Sequence, residues 1–176
     1  LVKAEALQHT GSFKLRGATN AVWSLGDDVR HVVAFSSGNH AQGVARAVTT
    51  RGLKATIIMP EDTPTTKIEG TKAYGADVVT YDRYTESREE IGEALSQKYN
   101  ANLIKPYDDV RVIAGQGTVG LEIARQASVM GVVPDALICC CGGGGLIAGT
   151  SIALHAHFPK TEIWCAEPEF YDDTKR

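Results

Sequence analysis

Short apolar runs rich in β-branched residues alternate along this chain with longer segments of helix-like periodicity. The runs HVVAFS (31–36), ATIIM (55–59), DVVTY (77–81), ALICC (136–140) and EIWCA (162–166) read as strands. Segments 13–25, 41–51, 64–74, 87–99, 115–130 and 146–155 read as helices. Apolar runs bounded by turn residues suit strands buried on both faces. Strand–helix alternation at this spacing predicts an α/β fold: three layers, with open parallel sheets and crossover helices. Residues 31–101 hold three strand–helix units and are expected to form a small α/β subdomain. It interrupts a larger domain, to which residues 1–30 and 102–176 contribute. The last strand is followed by no further helix, so the second sheet is expected to be incomplete and the chain a fragment at both ends.

Composition narrows the function classes. A net charge of −3 gives no basic footprint for nucleic acid. No apolar run approaches the roughly 20 residues needed to span a bilayer, and the opening LVKAEALQH contains no signal-peptide core. Three of the four cysteines are consecutive, Cys139, Cys140 and Cys141. Without Cys-x-x-Cys or Cys/His zinc spacing they read as small buried residues of a core strand, and a reducing, cytoplasmic setting fits them.

Three segments carry candidate chemistry. In GSFKLRGA, Lys14 stands between Phe13 and Leu15 at the start of a helix. A lysine among apolar groups loses hydration of its ammonium form, which frees the amine to attack a carbonyl. Arg16 and Lys3 are the competing cations nearby. In SSGNHAQG, Ser36, Ser37, Asn39 and His40 surround Gly38 between a strand and a helix. This is either a well-capped turn or a ligand loop at the carboxyl end of a strand. Gly142, Gly143, Gly144 and Gly145 join a strand to a helix, where backbone amides and the helix dipole favour a phosphate. The glycines leave an alternative open. Gly143-x-Gly145-x-x-Ala148, with Glu167 about 20 residues on, fits the dinucleotide fingerprint of an NAD(P)-dependent dehydrogenase.

Taken in order, these segments resemble the fold type II pyridoxal 5′-phosphate (PLP) enzymes, the family of the tryptophan synthase β subunit. GSFKLRGA and SSGNHAQG are similar to the serine/threonine dehydratase and serine racemase branch, as are KAEALQHTGSFK, MPEDTPTTKIEGTKAYGADVV and IAGQGTVGLEI. The resemblance runs from about Lys3 to Asp173. It implies that Lys14 forms the Schiff base and moves protons at the substrate α-carbon, with Phe13 beside the cofactor and Asn39 on its ring hydroxyl. It implies that Gly142 to Gly145 hold the phosphate, and that Ser36, Ser37, Asn39 and His40 receive the substrate. Ser37 would serve the opposite face of the α-carbon in a racemase. The implied activity is β-elimination from serine- or threonine-type amino acids to a 2-oxo acid and ammonia, serine racemisation, or both. A catalytically silent PLP-binding protein is the third reading.

The stretch AEPEFYDD resembles the divalent-cation site of serine racemase. Glu167, the carbonyl of Tyr171 and Asp173 match its ligands, which suits Mg²⁺ or Ca²⁺. The resemblance also implies a homodimer, and a hydroxyl facing the pyridine nitrogen from a strand beyond Arg176.

Overall fold

The computed structural model describes residues 1–175. Its first sheet has four parallel strands: β1 (His31–Phe35), β2 (Lys54–Pro60), β3 (Asp77–Tyr81) and β4 (Asn102–Leu103), in the order β3-β2-β1-β4. A second sheet pairs β5 (Ala136–Cys140) in parallel with β6 (Glu162–Ala166). The helices are α1 (Lys14–Trp23), α2 (Asn39–Thr50), α3 (Thr65–Ala73), α4 (Arg88–Tyr99), α5 (Val110–Val129) and α6 (Gly145–His155).

Period-two alternation along β1 and β2 builds the three layers. Val32, Ala34, Ile57 and Met59 point into a core shared with Ala18, Val22, Ala41, Val44 and Val48 of α1 and α2. Val33, Phe35 and Ile58 point to the other side, where Ile91 and Leu95 of α4 cover them. Buried on both faces, these strands are continuous apolar runs, as parallel strands between helices must be. The α/β fold with parallel sheets and crossover helices stands as the alternation predicts.

The second sheet departs from expectation. Of its cysteines only Cys139 is buried, while Cys140 and Cys165 are exposed and Cys141 is half-buried. Alternation separates Cys139 from Cys140: Ile138, Cys140 and Trp164 share a face that no element covers among the described residues, while Cys165, on the face of Cys139, is exposed on the edge strand β6.

Helix α5 begins at Val110 rather than 115. Asp109 caps it, its Oδ1 accepting from the Arg111 amide at 2.9 Å. The glycines of VIAGQGTVG lower helix propensity, but they sit at close crossings. A Cβ on Gly115 would stand 2.5 Å from the Arg16 carbonyl oxygen of α1. One on Gly120 would stand 2.5 Å from the Thr150 carbonyl oxygen of α6. Helix α5 thus ties α1, from the first part of the chain, to α6 and the glycine loop. Strand β4, two residues long and paired only with β1, escapes the sequence pattern. No described helix is long and apolar enough to cross a membrane.

Candidate active site

Lys14 opens α1, and its amide donates to Ser12 Oγ at 3.3 Å. Its Nζ donates to the Pro106 carbonyl at 2.7 Å and lies 5.4 Å from the centre of the Phe13 ring and 5.9 Å from that of Tyr107. No carboxylate pairs with it among the described residues, and burial lowers its pKa from the ordinary lysine value.

The competing cations are engaged elsewhere. Arg16 forks onto Glu5 and Glu122, at 2.7–2.8 Å, and Lys3 reaches Glu122 at 2.6 Å. Hydrogen bonds from Arg16 and then Lys3 hold the Glu122 carboxyl down at about 2. Of the three, Lys14 keeps a half-buried amine with no counter-charge among the described residues.

Across a cavity of about 210 Å³ from Lys14 stands the glycine loop. Phe13, Lys14 and all four glycines line it, together with Pro106, Tyr107, Gln116 and Cys141. Gly144, with φ +78°, turns the chain into α6, and no side chain caps that helix N-terminus. Its first amides are therefore available to an anion in the cavity. A Cβ at Gly142 or Gly144 would meet nothing within 4 Å, but one at Gly143 would lie 2.3 Å from the Tyr107 ring. Tyr107 thus packs on the α-carbon of Gly143 and fixes one wall. Gln116, 1% exposed, accepts the Gly17 amide at 3.2 Å and braces α1 against α5 behind Lys14. The cavity can hold an anion at one end and present at the other an amine whose ammonium form burial disfavours.

The second predicted loop flanks this cavity without lining it. Ser36 Oγ accepts the Gly38 amide at 3.2 Å, Ser37 is half-buried, and Asn39 opens α2 exposed to solvent. A Cβ on Gly38 would stand 4.0 Å from Lys67 Nζ, so a cation of α3 borders the loop. His40, 2% exposed, directs Nε2 to the Ile104 carbonyl at 3.3 Å, while Nδ1 has no partner. The proton therefore resides on Nε2 and leaves Nδ1 an acceptor.

Burial drives the His40 pKa down to about 4. As pH falls from 6.5, the unfolded chain takes up this proton before the folded one, so stability present above pH 6.5 is lost toward pH 4. The shift corresponds to up to about 3 kcal/mol. Urea unfolding of H40Q should show a shallower stability loss between pH 7 and pH 4.5 than the unsubstituted protein. An unchanged slope would place the acid sensitivity elsewhere.

At the other end of the chain, the Sγ atoms of Cys141 and Cys165 and a carboxylate oxygen of Glu167 lie within 4.8 Å of one another. Tyr171 and Asp173 are exposed on the segment after β6.

Pro106, Tyr107, Gln116 and Lys67 are the neighbours that sequence reasoning missed. Pro106 and Tyr107 follow β4 at the carboxyl edge of the sheet, where ligand loops gather. Recognising that two-residue strand would have pointed to them.

Residues 1–176 match the family described as pyridoxal-phosphate dependent enzyme. L-threo-3-hydroxyaspartate ammonia-lyase of Pseudomonas sp is 46% identical over 177 residues, covering 99% of this chain and 54% of that protein. Serine racemase of Schizosaccharomyces pombe is 42% identical over 173 residues, covering 97% of this chain and 52% of the racemase. The crystal structure of a T.th. threonine deaminase superposes with a TM-score of 0.91 at 50% identity, over 99% of this chain and 56% of that one. The chain thus spans about half the length of the relatives it matches. The match extends over both sheets and the glycine loop between them, which leaves the dehydrogenase alternative without support. This chain belongs to the pyridoxal-phosphate dependent enzyme family, in its fold type II serine/threonine dehydratase and serine racemase branch.

Proposed function

We propose that the protein uses pyridoxal 5′-phosphate, bound through Lys14, to convert a small β-hydroxy amino acid to a 2-oxo acid and ammonia, the water lost in β-elimination being taken up again when the resulting enamine hydrolyses. Serine, threonine and 3-hydroxyaspartate are the candidate substrates, and serine racemisation is a companion activity at the same site. The observation that carries this reading is the half-buried Lys14 amine, without a carboxylate partner among the described residues, facing the uncapped N-terminus of α6 across one cavity.

The residues suit this cofactor in two respects. The amides of Gly142, Gly143, Gly144 and Gly145, backed by the helix dipole, suit its phosphate dianion. The lowered pKa of Lys14 suits attachment to its aldehyde. When bound, the cofactor supplies an electron sink that stabilises negative charge developing at the substrate α-carbon.

The chain's own residues do the rest. Lys14 Nζ takes the α-proton, and the Pro106 carbonyl orients the amine beforehand. Phe13 and Tyr107, whose rings lie 5.4 and 5.9 Å from Lys14 Nζ, would shield the bound cofactor from water. Asn39 holds the ring hydroxyl, and Ser36, Ser37 and the first turn of α2 at His40 receive the substrate carboxylate, with Lys67 adding positive potential. For racemisation, Ser37 serves as the acid on the face opposite Lys14.

The same reading assigns residues 1–30 and 102–176 to the large cofactor-binding domain and residues 31–101 to the small one. It further proposes a homodimer, a cytoplasmic location, and Mg²⁺ or Ca²⁺ held by Glu167, the Tyr171 carbonyl and Asp173.

Incubation with the cofactor, borohydride reduction and peptide mass spectrometry test the attachment; ammonia and 2-oxo-acid release test the reaction. A phosphopyridoxyl group on Lys14 with ammonia released from one of the three substrates is the expected result. An adduct without ammonia release would indicate a catalytically silent binder. No adduct on folded protein would overturn the assignment.

A further inference from the structure

The parallel register of β5 and β6 sets Cys139 opposite Cys165 and Cys140 opposite Ala166. Alternation then puts Cys141, Cys165 and Glu167 on one face, away from Ile138 and Trp164. The Cys141 amide donates to the Ala166 carbonyl at 3.0 Å, extending the ladder one residue past β5 and fixing Cys141 beside Cys165 and Glu167. The segment after β6 folds back over these donors. The Thr174 amide donates to Glu167 Oε1 at 3.0 Å, and Thr174 Oγ1 lies 3.3 Å from Cys141 Sγ.

We propose that Cys141, Cys165 and Glu167 form a site for a thiophilic divalent cation of the Zn²⁺ class, with water as the fourth ligand. Tetrahedral zinc, with bonds of about 2.3 Å to sulfur and about 2.0–2.2 Å to carboxylate oxygen, needs its donors roughly 3.5–4 Å apart. Donor atoms already within 4.8 Å of one another reach that spacing by side-chain rotation. Cys165 and Glu167 border an open cavity of about 640 Å³, which gives the ion a path. Two sulfur donors select against Mg²⁺ and Ca²⁺, which require oxygen. The inference is independent of the cofactor reading and shares only Glu167 with the proposed hard-cation site, so the two ions exclude one another there and the two thiolates make the thiophilic ion the tighter by far. Cys141 also lines the Lys14 cavity and immediately precedes Gly142. Ligation would therefore fix the strand end from which the glycine loop departs.

The test uses purified protein, stripped of metal under reductant and titrated with Co²⁺, with absorption as the readout. One equivalent should produce thiolate-to-cobalt charge transfer, reversed by Zn²⁺ and unaffected by a hundredfold excess of Mg²⁺. C141S and C165S should each weaken Zn²⁺ binding at least tenfold, whereas C140S and D173N should leave the band unchanged. Absence of thiolate charge transfer in the unsubstituted protein overturns the proposal whether or not a variant misfolds. So does a band that survives in the C141S/C165S double variant, or one lost in D173N. None of these outcomes alters the borohydride adduct at Lys14, so failure here is distinguishable from failure of the cofactor assignment.

Discussion

Replacing Lys14 by alanine is expected to abolish the borohydride-trapped adduct and to lower ammonia release at least about a thousandfold. Attachment and proton transfer are both lost with the one amine, and the proton-transfer role alone is typically worth about 10²–10⁴-fold. K14R should fail equally. A guanidinium stays protonated at any pH the fold survives and cannot attack a carbonyl. The discriminating comparison is with R16A. Arg16 stands two positions further along α1 on a different task, bridging Glu5 and Glu122. Its loss should lower the melting temperature while leaving the adduct on Lys14 intact. If R16A lost the adduct and K14A kept it, the chemistry would have been assigned to the wrong cation. Mass spectrometry of the reduced peptides decides between them without any substrate being chosen.

The sequence distinguishes these cations only in part. It places Lys14 among apolar neighbours, but the reason its amine is free lies in partners far along the chain. Glu122 occupies Arg16 and Lys3 from α5, more than a hundred positions away, and the Pro106 carbonyl receives Lys14 from the loop after β4. No local pattern carries that information. The strands β1, β2 and β3 are legible because β1 and β2 are buried on both faces and β3 carries the same β-branched run beside them. Strand β4 is not, because two residues have no period. The start of α5 is hidden because its first turn, VRVI after the Asp109 cap, is rich in β-branched residues that suit a strand as well as a helix. The cysteine run reads as core because a strand's apolar composition does not say whether both its faces are covered. In this chain the face of β5 that carries Cys140 is open. Four glycines in a row are legible as an anion cradle, yet their individual reasons differ, and only a structure separates them.

That separation yields the second large effect. Gly143→Ala would place a methyl group 2.3 Å from Tyr107 Cγ, inside the ring's contact surface. The nearest atom is Cγ, so relief needs rotation of the whole Tyr107 ring or a shift of its backbone, which passes close to Gly145: a Cβ there would lie 3.1 Å from the Tyr107 carbonyl oxygen. Overpacking of this kind costs about 1–3 kcal/mol. Since the strain falls on the loop that would hold the phosphate, cofactor affinity should drop by roughly ten- to a hundredfold. Gly142→Ala meets no atom within 4 Å and should change affinity less than about twofold. Removing the obstacle separates packing from amide geometry: Y107A in the Gly143→Ala background should recover most of the lost affinity, a coupling read from the double-mutant cycle. Titration of the cofactor by its absorption change measures each of these proteins. Equal damage at Gly142 and Gly143, with no recovery on removal of the ring, would mean that both glycines are required by the bound phosphate itself. Tyr107 would then be a neighbour of the loop and not the wall that shapes it.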